Sequence, residues 1–165
     1  MTPATPTPHG QFRRCAGKFA TGVAVVLSPG AGQPAGMTVN SFTPVSLDPL
    51  IVLVSLGHGT RTLAAIARDG RFSINVLHTG HTGLATALAA PGAPFPGSSL
   101  SRSQDGHLLV PDALATMTCR LTRLIPVGDH VLVLGAVESH ATGGGEHLLF
   151  LEGAFLGSGR CAPAS

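Results

Sequence analysis

Eight histidines, three cysteines and eight carboxylates are the side chains of this 165-residue chain that could bind a metal, attack an electrophile or move a proton. Their spacing argues against each of these uses. His78 and His81 (HTGH) come nearest to metal-ligand spacing, but no Cys or carboxylate stands beside them to complete three or four ligands, and no metal site is expected. Cys15 falls on the apolar stripe of a predicted helix and Cys119 inside an apolar strand, positions where a thiol acts as a small hydrophobe. The five Asp and three Glu form no acid/base pair, so hydrolysis by paired carboxylates is unsupported. Lys18 is the only lysine and follows no glycine-rich loop, which removes the P-loop ATPase reading. No G-x-G-x-x-G follows a strand, so a Rossmann nucleotide module is absent as well.

What remains is a concentration of small polar groups. Gly36 to Leu56 reads GMTVNSFTPVSLDPLIVLVSL and sets Thr38, Asn40, Ser41, Thr43 and Ser46 between two apolar strands. Buried polar groups need partners. Either these hydroxyls satisfy neighbouring backbone while Asp48-Pro49 sets a turn, or they line a groove for a ligand with a polar heteroaromatic ring and a phosphate. Composition leaves both readings open.

The elements that would position this segment follow from periodicity and punctuation. Thr21–Ser28 (TGVAVVLS) is an apolar, β-branched strand closed by Pro-Gly-Ala-Gly, and Pro34–Phe42 returns as its hairpin partner. Leu50–Leu56 is apolar at nearly every residue, which predicts a strand buried on both faces at the centre of a sheet. Phe12, Cys15, Ala16 and Phe19 share one helical stripe, Thr62–Ala67 is helical up to Asp69-Gly70, and His81–Ala90 is an Ala/Leu helix. Arg71–Leu77 resumes strand character, and Pro91–Gly106 is a long aperiodic loop of the kind that carries function. Three extended runs close the chain, Ala115–Ile125, His130–His140 and His147–Leu156, with turns at Pro126–Asp129 and Thr142–Glu146. The expected fold is mainly β with short helices, a six- or seven-stranded antiparallel barrel in one domain over residues 9–157, flanked by flexible tails at 1–8 and 158–165. The Pro-rich start lacks the basic and apolar regions of a signal peptide, no run is long enough to span a bilayer, and the odd, scattered cysteines fit a reducing compartment, so a cytoplasmic protein is expected. A net charge of +2 predicts neither nucleic-acid nor membrane binding, and an 11% charged content predicts a homo-oligomer that covers apolar surface.

The polar segment also resembles the signature region of the flavin reductases of the FMN-binding split-barrel family, the small partners of two-component monooxygenases. The resemblance continues in order through FATGVAVV at Phe19–Val26, T-R-T at Thr60–Thr62, GRFSINVL at Gly70–Leu77, GDHVLVLGAVES at Gly128–Ser139 and the final LLFLEGAF, so it covers about residues 12 to 156. It implies a homodimeric split barrel that binds FMN or FAD, takes a hydride from NADH or NADPH as an NAD(P)H:flavin oxidoreductase (EC 1.5.1 type), and supplies reduced flavin to a separate oxygenase.

Carried onto this chain, the flavin site falls on Thr38, Val39, Asn40 and Ser41, with the wall Ser46, Leu47, Asp48 and Pro49, and with Ser55. Thr60, Arg61 and Thr62 match the stretch that holds the flavin phosphate, although Thr60 could equally cap the following helix. Relatives often carry Arg-Phe in the long loop. Here that place reads Ala93-Pro94-Phe95, so Phe95 is retained without the Arg. In G-D-H, Gly128 and Asp129 shape a turn and His130 takes the catalytic position beside the nicotinamide, against the alternative of a strand-start histidine facing solvent. The resemblance leaves two other readings open, a flavoprotein that keeps its flavin and acts directly on an organic substrate, and a non-catalytic flavin-binding module.

Overall fold

A strand that is apolar on both faces needs cover on both, and the strand that receives it is the first long one. The computed structural model describes residues 7–30, 32–90, 92 and 94–159. In chain order the elements are α1 (Pro8–Ala16), β1 (Thr21–Gly22), β2 (Ala24–Ser28), β3 (Ala35–Val39), β4 (Thr43–Leu47), β5 (Leu50–Gly57), α2 (Arg61–Asp69), β6 (Arg71–Val76), α3 (Thr82–Ala89), β7 (Ser101–Arg102), β8 (Leu108–Leu109), β9 (Ala115–Val127), β10 (His130–Thr142), β11 (Leu148–Leu151) and β12 (Ala154–Gly157). Every residue of β2 is buried. Ala24 and Val26 face one apolar cluster with Val54, Leu56, Ile66, Phe72 and Val133, while Val25 and Leu27 face another with Leu77, Ala85, Leu88, Leu108 and Leu148.

The main sheet is antiparallel with seven strands in the order β3-β2-β6-β9-β10-β5-β4. Its two edges, β3 and β4, are joined by only three residues, Asn40–Phe42. Seven strands laid flat would separate the edges by about 29 Å, whereas the four residue steps from Val39 to Thr43 reach at most about 14 Å. The sheet must therefore curl into a barrel. Ser41 fastens the junction: its hydroxyl donates to Ser55 O and accepts from Ser55 N, both at 3.0 Å. The first cluster fills the interior and Ile66 of α2 contributes to it, while the second lies outside β2 beneath α3, β8 and β11. Two polar side chains on the outer side of β6 are fully partnered. Asn75 Nδ2 donates to Val25 O and its Oδ1 accepts from Val110 N, and Ser73 donates to Leu108 O, which fixes the end of the long loop on the sheet.

Several expectations need correction. β5 lies second from the edge rather than at the centre, and only Val52, Val54 and Leu56 are buried. Ile51, Leu53 and Ser55 are half-buried because only one side of β5 has a packed layer behind it. The expected apolar stripe is cut short and covers nothing in the single chain: α1 ends at Ala16, capped by Gly17, so Phe19 lies beyond it, no residue of the helix is buried and Cys15 is exposed. The helix also begins earlier than the tail expected for residues 1–8 would allow, with Thr7 as its cap and Pro8 in its first turn. Residues 1–6 and 160–165 lie outside the described residues. His147–Leu156 is a hairpin rather than one strand, because Glu152 and Gly153 adopt positive φ (51° and 87°) and form a two-residue turn between β11 and β12. Pro126 and Val127 belong to β9, paired with Val131 and His130, so the turn is Gly128–Asp129 alone. The long loop holds β7, which pairs with β8 just beyond the loop's end. Among the described residues no helix is long and apolar enough to cross a membrane.

Candidate functional site

β3 forms the floor of a groove. At its start, Pro34–Met37 meet the loop Gly59–Thr62, the end of α3 (Ala87–Ala90) and Phe95 around a cleft of about 340 Å³. At its end, Thr38, Val39 and Asn40 meet Val23, Ala89, Phe150 and Phe155 around a second chamber of about 140 Å³. The two share Ala89 and occupy successive residues of one strand, so they form one groove along β3. Thr38 Oγ1 donates to Ala85 O at 2.7 Å and fastens the α3 wall to the floor. Gly36 permits a close approach. A Cβ there would strike the Leu27 side chain and come within 3.3 Å of Phe95.

The mouth of the first cleft is the N-terminus of α2. Thr60 has extended backbone (φ −71°, ψ 140°) and its hydroxyl accepts from Leu63 N at 3.3 Å, so it is the N-cap. A hydroxyl that accepts one bond still has its own O–H to donate. Thr60 therefore both caps the helix and lines the cleft. Arg61, exposed, and Thr62, buried, line the same opening. A guanidinium beside the first amides of a nine-residue helix makes an anion-binding end. At the other end of the groove Asn40 is exposed.

The structure thus brings Thr38, Val39, Asn40, Thr60, Arg61, Thr62 and Phe95 together and leaves the other expected residues elsewhere. Ser41 and Ser55 spend their mutual bonds on the barrel junction. Ser46 and Leu47 line a separate groove of about 250 Å³ with Leu50, Ile51, Met117 and Val137. Asp48 and Pro49, joined by a cis peptide, form the exposed tip of the β4–β5 hairpin. Gly128, Asp129 and His130 form the exposed β9–β10 turn and line neither chamber. That turn is nonetheless tied to the cleft mouth, since His58 N donates to Asp129 O at 3.1 Å and Gly59 follows it into the lining. His130 Nδ1 donates to Asp129 Oδ1 at 2.8 Å. This bond, helped by the Asp129 backbone and the charge of His130, holds the Asp129 carboxyl below its ordinary range.

The remaining reactive groups stay structural. His78 and His81 stack at 3.9 Å between ring centroids, and His78 Nδ1 accepts from Gly80 N, so the pair caps a turn instead of converging on an ion. Among the described residues no three His, Cys, Asp or Glu side chains could hold a metal. Burial pushes the Cys119 thiol up to about 12, which makes it a poor nucleophile. The groove also uses residues that the sequence reading passed over: Ala87, Ala89 and Ala90, whose small side chains give α3 a flat wall, and Phe150 and Phe155, packed at 5.6 Å on the C-terminal hairpin. The Ala-rich run ATALAA was a visible signal. The two phenylalanines gave none until the hairpin was seen.

Comparison with known proteins gives the same direction. The flavin reductase like domain matches residues 16–158. The NADH-dependent FMN reductase AsuE2 of Streptomyces nodosus subsp. asukaensis is 41% identical over 152 residues, covering 88% of this chain and 82% of its own length. The reductase component of the 4-nitrophenol 4-monooxygenase/4-nitrocatechol 2-monooxygenase of Rhodococcus opacus is 34% identical, with 91% and 81% covered. The NADH:FAD oxidoreductase SgcE6 of Streptomyces globisporus, solved in complex with NAD and FAD fragments, superposes with a TM-score of 0.86 at 32% identity, over 99% of this chain and 98% of that one.

Proposed function

This chain belongs to the flavin reductase like domain family, and from that membership we propose that the groove along β3 is where it binds flavin for reduction by a nicotinamide donor. It is an oxidoreductase that reduces FMN or FAD with a nicotinamide donor, and the names of its relatives give that donor as NADH. The observation that carries the placement is the pairing of a narrow groove with an anion-binding end. A flavin has a flat ring with polar edges, a polyol chain and a phosphate. Arg61 and the α2 N-terminus suit the phosphate, Thr38 and Asn40 suit polar atoms, and Ala89, Phe150 and Phe155 give the ring apolar contact. Gly36 keeps the floor clear.

Held by Arg61, Thr38 and Asn40, flavin would supply the N5 atom that takes a hydride from dihydronicotinamide C4. The protein's part is placement, which accounts for the absence of an acid/base pair. His130 and Asp129 lie at the phosphate end of this groove, tied to the cleft mouth through His58, and belong to this reading as positioning groups presented to the ring held by the second subunit of the homodimer. The groove is open along its length, which suits a flavin that leaves in reduced form for a separate oxygenase. A homodimer is supported by the uncovered apolar residues Val45, Leu47 and Leu50 on the β4–β5 hairpin. A cytoplasmic setting is consistent with the free thiols of Cys15 and Cys119.

Steady-state kinetics over NADH and NADPH with FMN and FAD, followed by nicotinamide absorbance, tests the reading. Flavin-dependent oxidation of at least one donor is expected. No such oxidation in any of the four combinations overturns it and would class the protein as a flavin-binding module.

A further inference from the structure

We propose that the stacked His78–His81 pair is an acid-operated latch on α3, so that a proton on either ring loosens one wall of the groove along β3. Its consequence for the reaction rests on the reading of that groove as the flavin site. The pair stands directly before the helix. His78 caps the turn Thr79–His81, and His81 is in turn the N-cap of α3. Further along, Ala87–Ala90 wall the first cleft, Ala89 lines the second chamber, and Ala85 O holds the Thr38 hydroxyl of the floor. With eight residues the helix is about two turns long. A helix so short has little cooperative reserve, so a disturbance at its start reaches its end.

Both rings are set as neutral imidazoles. His78 Nδ1 accepts from Gly80 N at 3.0 Å, and once protonated it would turn a donor toward that donor. His81 Nδ1 is buried with no hydrogen-bond partner among the described residues, so a proton there is an N–H without an acceptor. The ring centroids are 3.9 Å apart, and charge on one ring opposes charge on the other. A cation at His81 also meets the positive end of α3, which has no side-chain cap and no acidic residue in its first turn. The groups facing the pair do not reverse this. Glu146 directs its carboxylate to Gly159 N at 2.8 Å and Thr79 Oγ1 at 3.5 Å, and the exposed His147 bridges to His78. Asp112 and the Pro111 backbone favour a proton on His81, but burial first and His78 second outweigh them and hold its proton affinity below the ordinary value of 6.5. β2, β3 and α3 bring no titratable side chain to the pair. A histidine held below its ordinary value stabilises the folded arrangement above that pH and withdraws the stabilisation on acidification, so the latch is closed above about pH 6.5 and opens below it.

The experiment follows hydrogen exchange of residues 84–89 by mass spectrometry at about pH 5.5 and about pH 7.5, in the parent and in His78→Asn/His81→Gln. Asn keeps an acceptor for Gly80 N, and neither amide takes a proton. Between the two pH values the parent should lose about two- to fivefold more protection in α3 than the variant, the size of a cation's effect at a helix N-terminus. In the single variant His78→Asn, the NMR titration midpoint of His81 should move up, because its stacked neighbour no longer carries charge. Equal pH dependence of α3 exchange in parent and double variant overturns the proposal, and so does a His81 midpoint that stays in place. Riboflavin, which has no phosphate to titrate, reports the link to the groove: on acidification its affinity should fall about two- to fivefold more in the parent than in the variant. If α3 exchange responds and riboflavin affinity does not, the latch stands and the placement of flavin along β3 fails.

Discussion

The groove along β3 and the two hairpin tips, Asp48–Pro49 and Gly128–His130, both carry residues matched to a flavin reductase, yet they are finished to different degrees. The groove is completed within one chain. Its floor, walls and mouth come from β3, α3, α2 and the C-terminal hairpin, and a hydrogen bond from Thr38 to Ala85 holds floor to wall. The tips are flanked by side chains that face nothing: Leu47 is 87% exposed and Val127 52%. The difference shows which part of the site the local sequence can specify alone. Where small residues and a helix N-terminus make the surface, neighbours in the same chain suffice. Where apolar side chains surround the matched residues, a second surface is required, and the proposed homodimer supplies it.

The strongest way to break the self-contained region is to fill its floor. Gly36→Val places side-chain atoms against Leu27 and Phe95, in a position already short of space for a single methyl group. Overpacking of this kind costs about 1–3 kcal/mol, and here one of the displaced side chains, Phe95, lines the cleft. FMN binding, read by quenching of flavin fluorescence, should weaken about 100-fold, at the upper end of that range. Arg61→Ala comes next. Loss of a charge-assisted contact to phosphate is worth about 1.5–3 kcal/mol, so FMN affinity should fall roughly 10- to 100-fold. Riboflavin, which lacks the phosphate, should bind parent and variant alike. If riboflavin suffers as much as FMN, Arg61 shapes the cleft and does not read the phosphate.

The tips answer to a different measurement. His130→Ala should lower kcat about tenfold, within the loss of up to about 100-fold that a misplaced reactant costs, while flavin affinity stays within about twofold. Asp129→Asn should give a smaller drop of the same kind, since the carboxylate acts through the 2.8 Å bond that orients the ring. If His130→Ala leaves kcat unchanged, the turn is only a turn, and the division between groove and tips becomes one between site and scaffold.

The sequence exposed these two regions unequally. Strand existence was readable from apolar runs, because it depends on neighbours along the chain, whereas T-R-T before a helix was matched to a phosphate-holding stretch only through the family resemblance. The position of β5 was not readable. LIVLVSL is apolar at every position but Ser55 whether its second face meets a packed layer or a partner, and only the sheet order shows that it lies beside the edge. The stripe Phe12, Cys15, Ala16, Phe19 was equally ambiguous, since helical period reports an apolar face without saying what covers it. Glu152-Gly153 was a turn signal hidden inside LLFLEGAF, and missing it concealed the hairpin that brings Phe150 and Phe155 to the groove. Barrel closure by the Asn40–Phe42 junction likewise follows only from which strands are neighbours.

The smallest expected effect concerns the loop that carries Phe95. Its end is fixed by Ser73 and Asn75, whose polar atoms are partnered, and by His107, which is 3% exposed and whose ring meets only the Cys119 backbone weakly. Burial, and then the charge of Arg71, push the His107 affinity for a proton below the ordinary value of 6.5, against weaker opposing pulls from Glu138, Asp105 and the Cys119 backbone. In the unfolded chain the ring recovers the ordinary value. Below about pH 6.5 the unfolded state therefore binds more protons than the folded one, and linkage makes stability fall as pH decreases. The contribution is complete above that value and is lost on acidification. His81, lowered by burial and by His78, acts in the same sense. Urea denaturation should show a lower midpoint at pH 5 than at pH 7. His107→Leu should flatten part of that slope, because an apolar side chain of similar size has no proton to gain. If the slope is unchanged in the variant, His107 is not a source of acid sensitivity, and the loop end is held by the Ser73–Asn75 bonds alone.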